Sequence, residues 1–359
     1  RLEAVAMASR KAKIPILYVN LLGGQDELVF DGNSFGIDKE GSLIAQAPAF
    51  EEALHVVDIK KNNNFIDAHS RITASLAEEE LIYKALILGI RAYVQKNRFD
   101  GCVIGLSGGI DSALTLALAV DALGSDKVTA ISMPSTYTAV MSVEDARKEA
   151  SLLGCEFHIL PIENTVATFS QSLAEIIPDL EAGVTKQNLQ ARTRGVMLMA
   201  CSNSAKTIVL ATGNKSEMAV GYATLYGDMA GGFAPLKDIP KTLVYRLSNY
   251  RNKQSYVIPS RVIDRPPTAE LAPDQKDTDN LPPYETLDPI LEKYIEQDLT
   301  PFEISREGFD LDTILEVTKL VDKNEYKRRQ SAPGVRITKR AFGRDRRFPI
   351  TSRYSEAEK

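Results

Sequence analysis

Ser107-Gly108-Gly109-Ile110-Asp111-Ser112 is a run whose residue types can do phosphate chemistry. It follows the apolar stretch Cys102-Val103-Ile104-Gly105-Leu106 and leads into another, Ala113 to Val120. That order predicts a strand, a tight glycine turn and the N-terminus of a buried helix. Such a turn aims backbone N–H groups and the positive end of a helix dipole at one place, which suits phosphate. A P-loop offers a lysine and a Ser/Thr after its last glycine; here an aspartate and a serine stand instead. An acid in that position fits a loop that holds pyrophosphate through Mg²⁺, with Asp111 as an oxygen ligand. The expected chemistry is cleavage of ATP between its α and β phosphates. Ordinary turn and cap chemistry would use the same residues, so the flanking elements decide between the two readings.

A second constellation is Thr212-Gly213-Asn214-Lys215-Ser216-Glu217, directly after an apolar strand expected over 207–211. At a neighbouring strand end Glu217 would complete a Mg²⁺ site whose other ligands are phosphate oxygens and water; the plain alternative is a helix cap. Asn188-Leu189-Gln190-Ala191-Arg192 opens a helix and offers an amide and a guanidinium, or serves as a surface cap. Gly227-Asp228-Met229-Ala230-Gly231-Gly232 suits close backbone approach to a ligand, or is a loop. Lys241 could neutralise phosphate charge in a transition state; a single lysine is otherwise most often solvated.

These residues need elements to hold them. Leu81, Ile82, Ala85, Leu86, Leu88 and Gly89 predict an amphipathic helix from Glu78 to just before Asn97. Strands are expected over 128–133, 157–162 and 207–211, with helices over 142–153 and 188–202. Ser142 would be the N-cap of the first helix, with Asp145 three residues on and Gly154 as its stop. This alternation predicts an α/β fold, a doubly wound, mostly parallel sheet with right-handed crossovers. Ligands of such sheets bind at carboxyl ends of strands near the reversal of strand order, so the segments after Leu106, Met133, Ile162 and Ala211 should converge. Upstream, a helix leads to a strand over 14–19, and short β stretches are expected at 28–30, 34–37, 42–47 and 55–59. Polar Lys60-Lys61-Asn62-Asn63-Asn64 reads as a linker, and the Pro- and Asp-rich segment 259–289 as a linker or a lid. Late helices are expected over 290–297 and 311–324.

With 359 residues, 44% apolar and 25% charged, the chain suits about two domains with ordinary globular cores. It shows no signal peptide or membrane span, so the cytoplasm is expected. Cys102, Cys155 and Cys201 lie in or beside apolar segments without metal-ligand spacing. His55, His69 and His158 are scattered, which disfavours a zinc site or a His-based triad. Residues 323–347 carry ten basic side chains against two acidic ones. Phe342, Phe348, Pro349 and Ile350 interrupt or follow them, so an ordered, packed segment is expected, with no nucleic-acid readout motif.

Taken in order, these motifs resemble a known family. Ser107 to Ser112 is similar to the signature of the N-type ATP pyrophosphatases. Gly213 to Glu217, Tyr222 to Asp228, Arg265-Pro266-Pro267, and the stretch from Tyr326 to Arg347 resemble NAD⁺ synthetase. Gly23-Gly24-Gln25-Asp26-Glu27-Leu28-Val29-Phe30-Asp31-Gly32 resembles the end of the nitrilase-like glutaminase domain of its glutamine-dependent form. The resemblance implies an adenine nucleotide alpha hydrolase-like sheet over 78–359, a linker over 61–77, and the C-terminal part of a β-rich nitrilase-like α/β domain over 1–60. The implied reaction amidates deamido-NAD⁺: ATP adenylates its carboxylate, pyrophosphate leaves, and ammonia then displaces AMP. It also implies roles: Gly105, Leu106, Ser107, Gly108, Gly109, Ile110, Asp111, Ser112 and Thr212 toward ATP; Asp111 and Glu217 toward Mg²⁺; Asn188, Glu217 and Lys327 toward deamido-NAD⁺; and Lys241 toward phosphate. A homo-oligomer with no nucleic-acid or membrane partner is implied as well.

One departure bears on the nitrogen source. The glutaminase cysteine, lysine and glutamate of that family lie upstream of the Gly-Gly-Gln-Asp segment, and all three cysteines here belong to the synthetase part. The expectation is a truncated two-domain enzyme that uses free ammonia. Competing readings are another pyrophosphatase-loop enzyme, such as a GMP synthetase or a tRNA-thiolating enzyme, and a non-catalytic nucleotide-binding module.

Overall fold

The computed structural model describes residues 1–352 apart from 63–64, 70, 178–179, 181–182, 269, 273–276 and 280. The chain opens with α1 (Leu2–Ala12), β1 (Ile16–Tyr18), β2 (Leu22–Gln25), β3 (Leu28–Asp31), β4 (Phe35–Ile37) and β5 (Leu43–Gln46). β4 pairs antiparallel with both β1 and β5 over a small core of Ala6, Phe35 and Ile37. β2 and β3 form a hairpin that lies against the following long helix, α2 (Glu78–Lys96). Contact there is close: a Cβ on Gly24 would stand 2.8 Å from the Cβ of Ala92.

Lys60 to Asn64 had the composition of a linker, yet β6 (Asp58–Asn62) and β7 (Phe65–His69) pair antiparallel in this region. Main-chain pairing does not need apolar alternation, so the polar run hid the strand. The strand expected over 55–59 accordingly starts later, at Asp58.

The doubly wound part follows as β8 (Cys102–Gly105), α3 (Ile110–Leu123), β9 (Val128–Ser132), α4 (Val140–Leu153), β10 (Glu156–Ile159), α5 (Glu163–Leu173), α6 (Val184–Ala205) and β11 (Ile208–Leu210). All four strands are parallel, in the order β10-β9-β8-β11. Alternate residues of each strand serve opposite faces. Cys102, Ile104, Ile208 and Leu210 join the core under α2, α3 and α4, whereas Val103, Ile131 and Val209 pack with Val166 of α5 and Leu198 of α6. Burial on both faces explains why these strands read as continuous apolar runs. Gly154 ends α4 in the left-handed conformation, as its position suggested.

Ser142 is not an N-cap. α4 begins at Val140, and Ser142 lies inside it, fully buried, donating to Glu270 Oε1 at 2.6 Å and accepting from Arg265 Nη1 at 2.8 Å. Partners 123 and 128 residues away claim the hydroxyl that local pattern assigned to the helix end.

After β11 the chain becomes helical: α7 (Lys215–Val220), α8 (Lys241–Gln254), α9 (Ser260–Asp264), α10 (Tyr284–Leu291), α11 (Pro301–Ser305), α12 (Leu311–Lys323) and α13 (Glu325–Arg328). α10 starts earlier than the helix expected over 290–297 and passes into a wider turn at Glu292–Glu296. A second core gathers Val220, Leu287, Ile290, Ile314, Val317 and Val321 with Phe342 and Phe348. The basic C-terminal segment is therefore packed. The Arg328 guanidinium lies 4.6 Å from the Phe342 ring centre, and Arg346 lies 4.8 Å from that of Phe348. Among the described residues no helix is long and apolar enough to cross a membrane.

Candidate active site

The strand order reverses between β8 and β11, so the loops leaving their carboxyl ends diverge and leave a crevice. The β8 loop is tied to itself. Ser112 Oγ donates to the Gly109 carbonyl at 2.9 Å, and the Gly109 N–H donates to Ser107 Oγ at 3.2 Å. Gly108 has φ +82°, and its carbonyl accepts from Arg265 Nη2 at 2.8 Å. Gly109 is the N-cap of α3 and has no side chain to offer, so no side chain caps that helix. Its first-turn N–H groups are orphan donors at the positive end of a 14-residue helix.

Asn214 begins α7 with a capping box: its Oδ1 accepts from the Glu217 N–H at 3.0 Å, while Glu217 Oε2 accepts from the Asn214 N–H at 3.4 Å. The Asn214 amide also reaches across the crevice and donates to Asp111 Oδ1 at 2.9 Å. The two loops are thus joined by a hydrogen bond between Asn214 and Asp111. Lys241, first residue of α8, enters from a third side. Its Nζ lies 2.5 Å from Asp111 Oδ2 and 3.3 Å from Glu217 Oε1, and 5.2 Å from the centre of the Tyr284 ring. Only 2% of this side chain is exposed, so it is not the solvated lysine of the plain reading.

Burial alone would push the Lys241 ammonium down, but Asp111 and Glu217 more than reverse that and hold it above its ordinary value. Glu217 is raised, by desolvation first, with Lys241 opposing and the Asp111 and Asp277 carboxylates adding to the rise. Asp277 is raised by desolvation too. Its Oδ2 accepts from the Tyr284 hydroxyl at 2.9 Å, while its Oδ1 is buried without a hydrogen-bond partner among the described residues.

A cavity of about 260 Å³ brings together Gly105, Leu106, Ser107, Gly109, Ile110, Asp111, Ser112, Thr212, Glu217 and Lys241. Gly108 stands behind this lining. Described parts of segment 259–289, namely Arg265, Pro267, Thr268, Glu270, Leu271 and Asp277, wall it as a lid would. Asn188 and Lys327 do not line it. Asn188 Oδ1 accepts from Thr224 Oγ1 at 2.9 Å, and Lys327 Nζ donates to the Gly221 and Ala223 carbonyls at 2.8 and 2.9 Å. Both therefore brace the Gly221 to Asp228 loop, which reaches the cavity at both ends, through Tyr222 and through Gly227 and Asp228. Desolvation raises Asp228 to about 6 and lowers Lys327.

Sequence reasoning missed Arg194, Asp277 and Asp288. Arg194 lines the cavity, donates through Nε to the Met133 carbonyl at 3.0 Å, and is lowered to about 10 by desolvation. The available signal was its spacing, three residues after Ala191, one before Gly195 and four before Leu198, which puts all four on one helix face. None of the cysteines lines the cavity; burial raises Cys102 and pushes Cys155 up to about 11. A larger cavity of about 860 Å³ lies between the N-terminal strands and α2, α8 and α10, and contains none of the β8 loop.

The family model described as NAD synthase matches residues 82–331, which span the sheet, both loops and Lys241. The chain belongs to the NAD synthase family. It is 50% identical over 357 residues to the glutamine-dependent NAD(+) synthetase of Acinetobacter baylyi, covering 98% of this chain and 65% of that protein. It is 45% identical over 389 residues to the protein of the same name from Thermotoga maritima, covering 99% and 68%. A solved structure of the Acinetobacter baumannii glutamine-dependent NAD+ synthetase, in complex with ADP, superposes with a TM-score of 0.71 at 46% identity, covering 98% of this chain and 64% of that one. The chain thus spans about two thirds of the length of the relatives it matches.

Proposed function

We propose that this chain carries the synthetase reaction of its family: ATP-dependent amidation of deamido-NAD⁺ to NAD⁺ through an acyl-adenylate. The observation that carries the reading is one ammonium, Lys241 Nζ, held between the carboxylates of Asp111 and Glu217 beside an uncapped helix N-terminus. Orphan N–H groups of α3 suit the phosphates, and Asp111 and Glu217 present hard oxygen donors next to them. Among the described residues no group of three His, Cys, Asp or Glu forms a complete metal site. The two carboxylates of Asp111 and Glu217, brought together at Lys241 Nζ, nevertheless fit Mg²⁺ as it is held with phosphate oxygens and water. Bound there, Mg²⁺ would supply charge stabilisation at the departing pyrophosphate.

In the first half-reaction a carboxylate oxygen of the substrate bonds to the α-phosphorus, and the bond from that phosphorus to the bridging oxygen breaks, releasing pyrophosphate. In the second, ammonia bonds to the acyl carbon, the acyl–phosphate bond breaks, AMP leaves and a nitrogen proton is lost to solvent. The protein's part is to position the reactants and to neutralise charge with Lys241. The walls formed by Arg265, Pro267 and Thr268 exclude water that would hydrolyse the adenylate.

The proposal includes a nitrilase-like part over 1–60 and the synthetase over 78–359, joined by residues 61–77, which carry the end of β6 and all of β7, together with a homo-oligomeric state and a cytoplasmic setting. Incubation with ATP, Mg²⁺, deamido-NAD⁺ and ammonium should give AMP and NAD⁺ in equal amounts. Release of ADP, or AMP formation that ignores deamido-NAD⁺, would sink the assignment.

A further inference from the structure

Lys241 opens α8, and the residue before it, Pro240, is the N-cap and provides no side-chain cap. The first-turn N–H groups of that helix therefore need partners from elsewhere. They find them on two other helices. The Lys241 N–H donates to Ser216 Oγ at 2.9 Å, and the Thr242 N–H donates to Asp288 Oδ2 at 2.8 Å. The Thr242 hydroxyl donates to the same oxygen at 2.7 Å, and the Ser216 hydroxyl donates to Asp288 Oδ1. Asp288 is 7% exposed, and Ser216 is fully buried.

We infer that Asp288 is a positioning residue for the reaction: it caps α8 from α10 and so sets Lys241 between Asp111 and Glu217. This rests on the proposed synthetase function. Ser216 sits next to Glu217 on α7, and Thr242 sits next to Lys241 on α8, so one carboxylate fixes the mutual register of the two elements that bring these groups to Asp111. A negative charge at the N-terminus of α8 is also favoured by the helix dipole. Asp288 touches none of the reacting groups. Its neighbours Ser216 and Thr242 line the larger cavity on the reverse side of the site, together with Asp288 itself.

The test uses Asp288→Asn and Ser216→Ala in the full chain, with two readouts. In steady state, Asp288→Asn should lower kcat for AMP formation by about tenfold or more, with KM for deamido-NAD⁺ within about twofold of wild type and Tm nearly unchanged. Ser216→Ala should give a smaller drop of the same kind. Competitive acetylation read by mass spectrometry needs no turnover: in Asp288→Asn, labelling of Lys241 should rise by about tenfold relative to buried Lys237. If the wild-type protein makes no NAD⁺, the functional reading fails while the labelling result still judges the positioning. Unchanged kcat and unchanged Lys241 labelling would overturn the inference. So would a loss of kcat that merely tracks a loss of folded protein.

Discussion

Gly108 and Ser142 stand back to back: a Cβ built on Gly108 would lie 2.3 Å from the Ser142 carbonyl oxygen. The β8 loop is thereby pressed against the first turn of α4, and φ of +82° at the same residue independently strains any side chain. Gly108→Ala should cost more than about 1 kcal/mol in stability and should weaken ATP binding more than it lowers Tm would suggest. Equilibrium denaturation and ATP titration of the same variant check this; a variant with wild-type ATP affinity would show that the loop tolerates a shift away from α4.

Asp111 receives one hydrogen bond from Asn214 and one from Lys241. Asp111→Asn keeps the shape but removes the charge that the ammonium faces. AMP formation should fall by about 100-fold or more, with Tm altered little. Activity within a few-fold of wild type would remove Asp111 from the chemistry.

Glu149 is fully buried on α4, and among the described residues neither of its carboxyl oxygens has a hydrogen-bond partner. Desolvation first, and the nearby Asp145 carboxylate second, raise it well above the ordinary glutamate value of 4.5. The folded protein therefore binds a proton that the unfolded chain releases above that value. The neutral group's contribution is fully present below the unfolded pKa and is lost as pH rises toward the folded one, by about 1.4 kcal/mol per pH unit. Glu149→Met should flatten this slope, gaining stability over wild type at pH 8 and little at pH 5. Urea melts at the two pH values decide it, and parallel slopes would contradict the assignment.

Arg328 and Glu325 form a buried pair at 3.0 Å, each side chain 2% exposed, and Arg328 also donates to the Ala219 and Val321 carbonyls. Arg328→Met should destabilise by about 3–5 kcal/mol, because it strands Glu325 and two carbonyls in the second core. Calorimetry would show it. A small effect would mean that Arg329, which also pairs with Glu325, suffices alone.

What could be read from the sequence was local. The β8 loop and the Asn214 to Glu217 turn each announce themselves within six residues, and strand alternation with helices was enough to bring their ends together. Lys241 was found by type and became convincing only when its burial between two carboxylates was seen. Asp277 and Asp288 lie in or beside a Pro- and Asp-rich stretch, where nothing in the spacing separates a solvated acid from one buried under a helix. The hairpin at 58–69 escaped for the opposite reason, since its pairing runs through the main chain. Ser142 obeyed a capping pattern that a distant arginine and glutamate overruled.

The ammonium of Lys241 gives the site a tethered counter-ion of its own. A divalent cation arriving alone meets carboxylates whose charge is already balanced, and must compete with an amine that cannot diffuse away. Under the proposed function a triphosphate would change the terms, because it brings negative charge that shares the same ammonium. Metal and nucleotide are then expected to load together, each weak without the other, and the resting protein is spared from collecting stray cations.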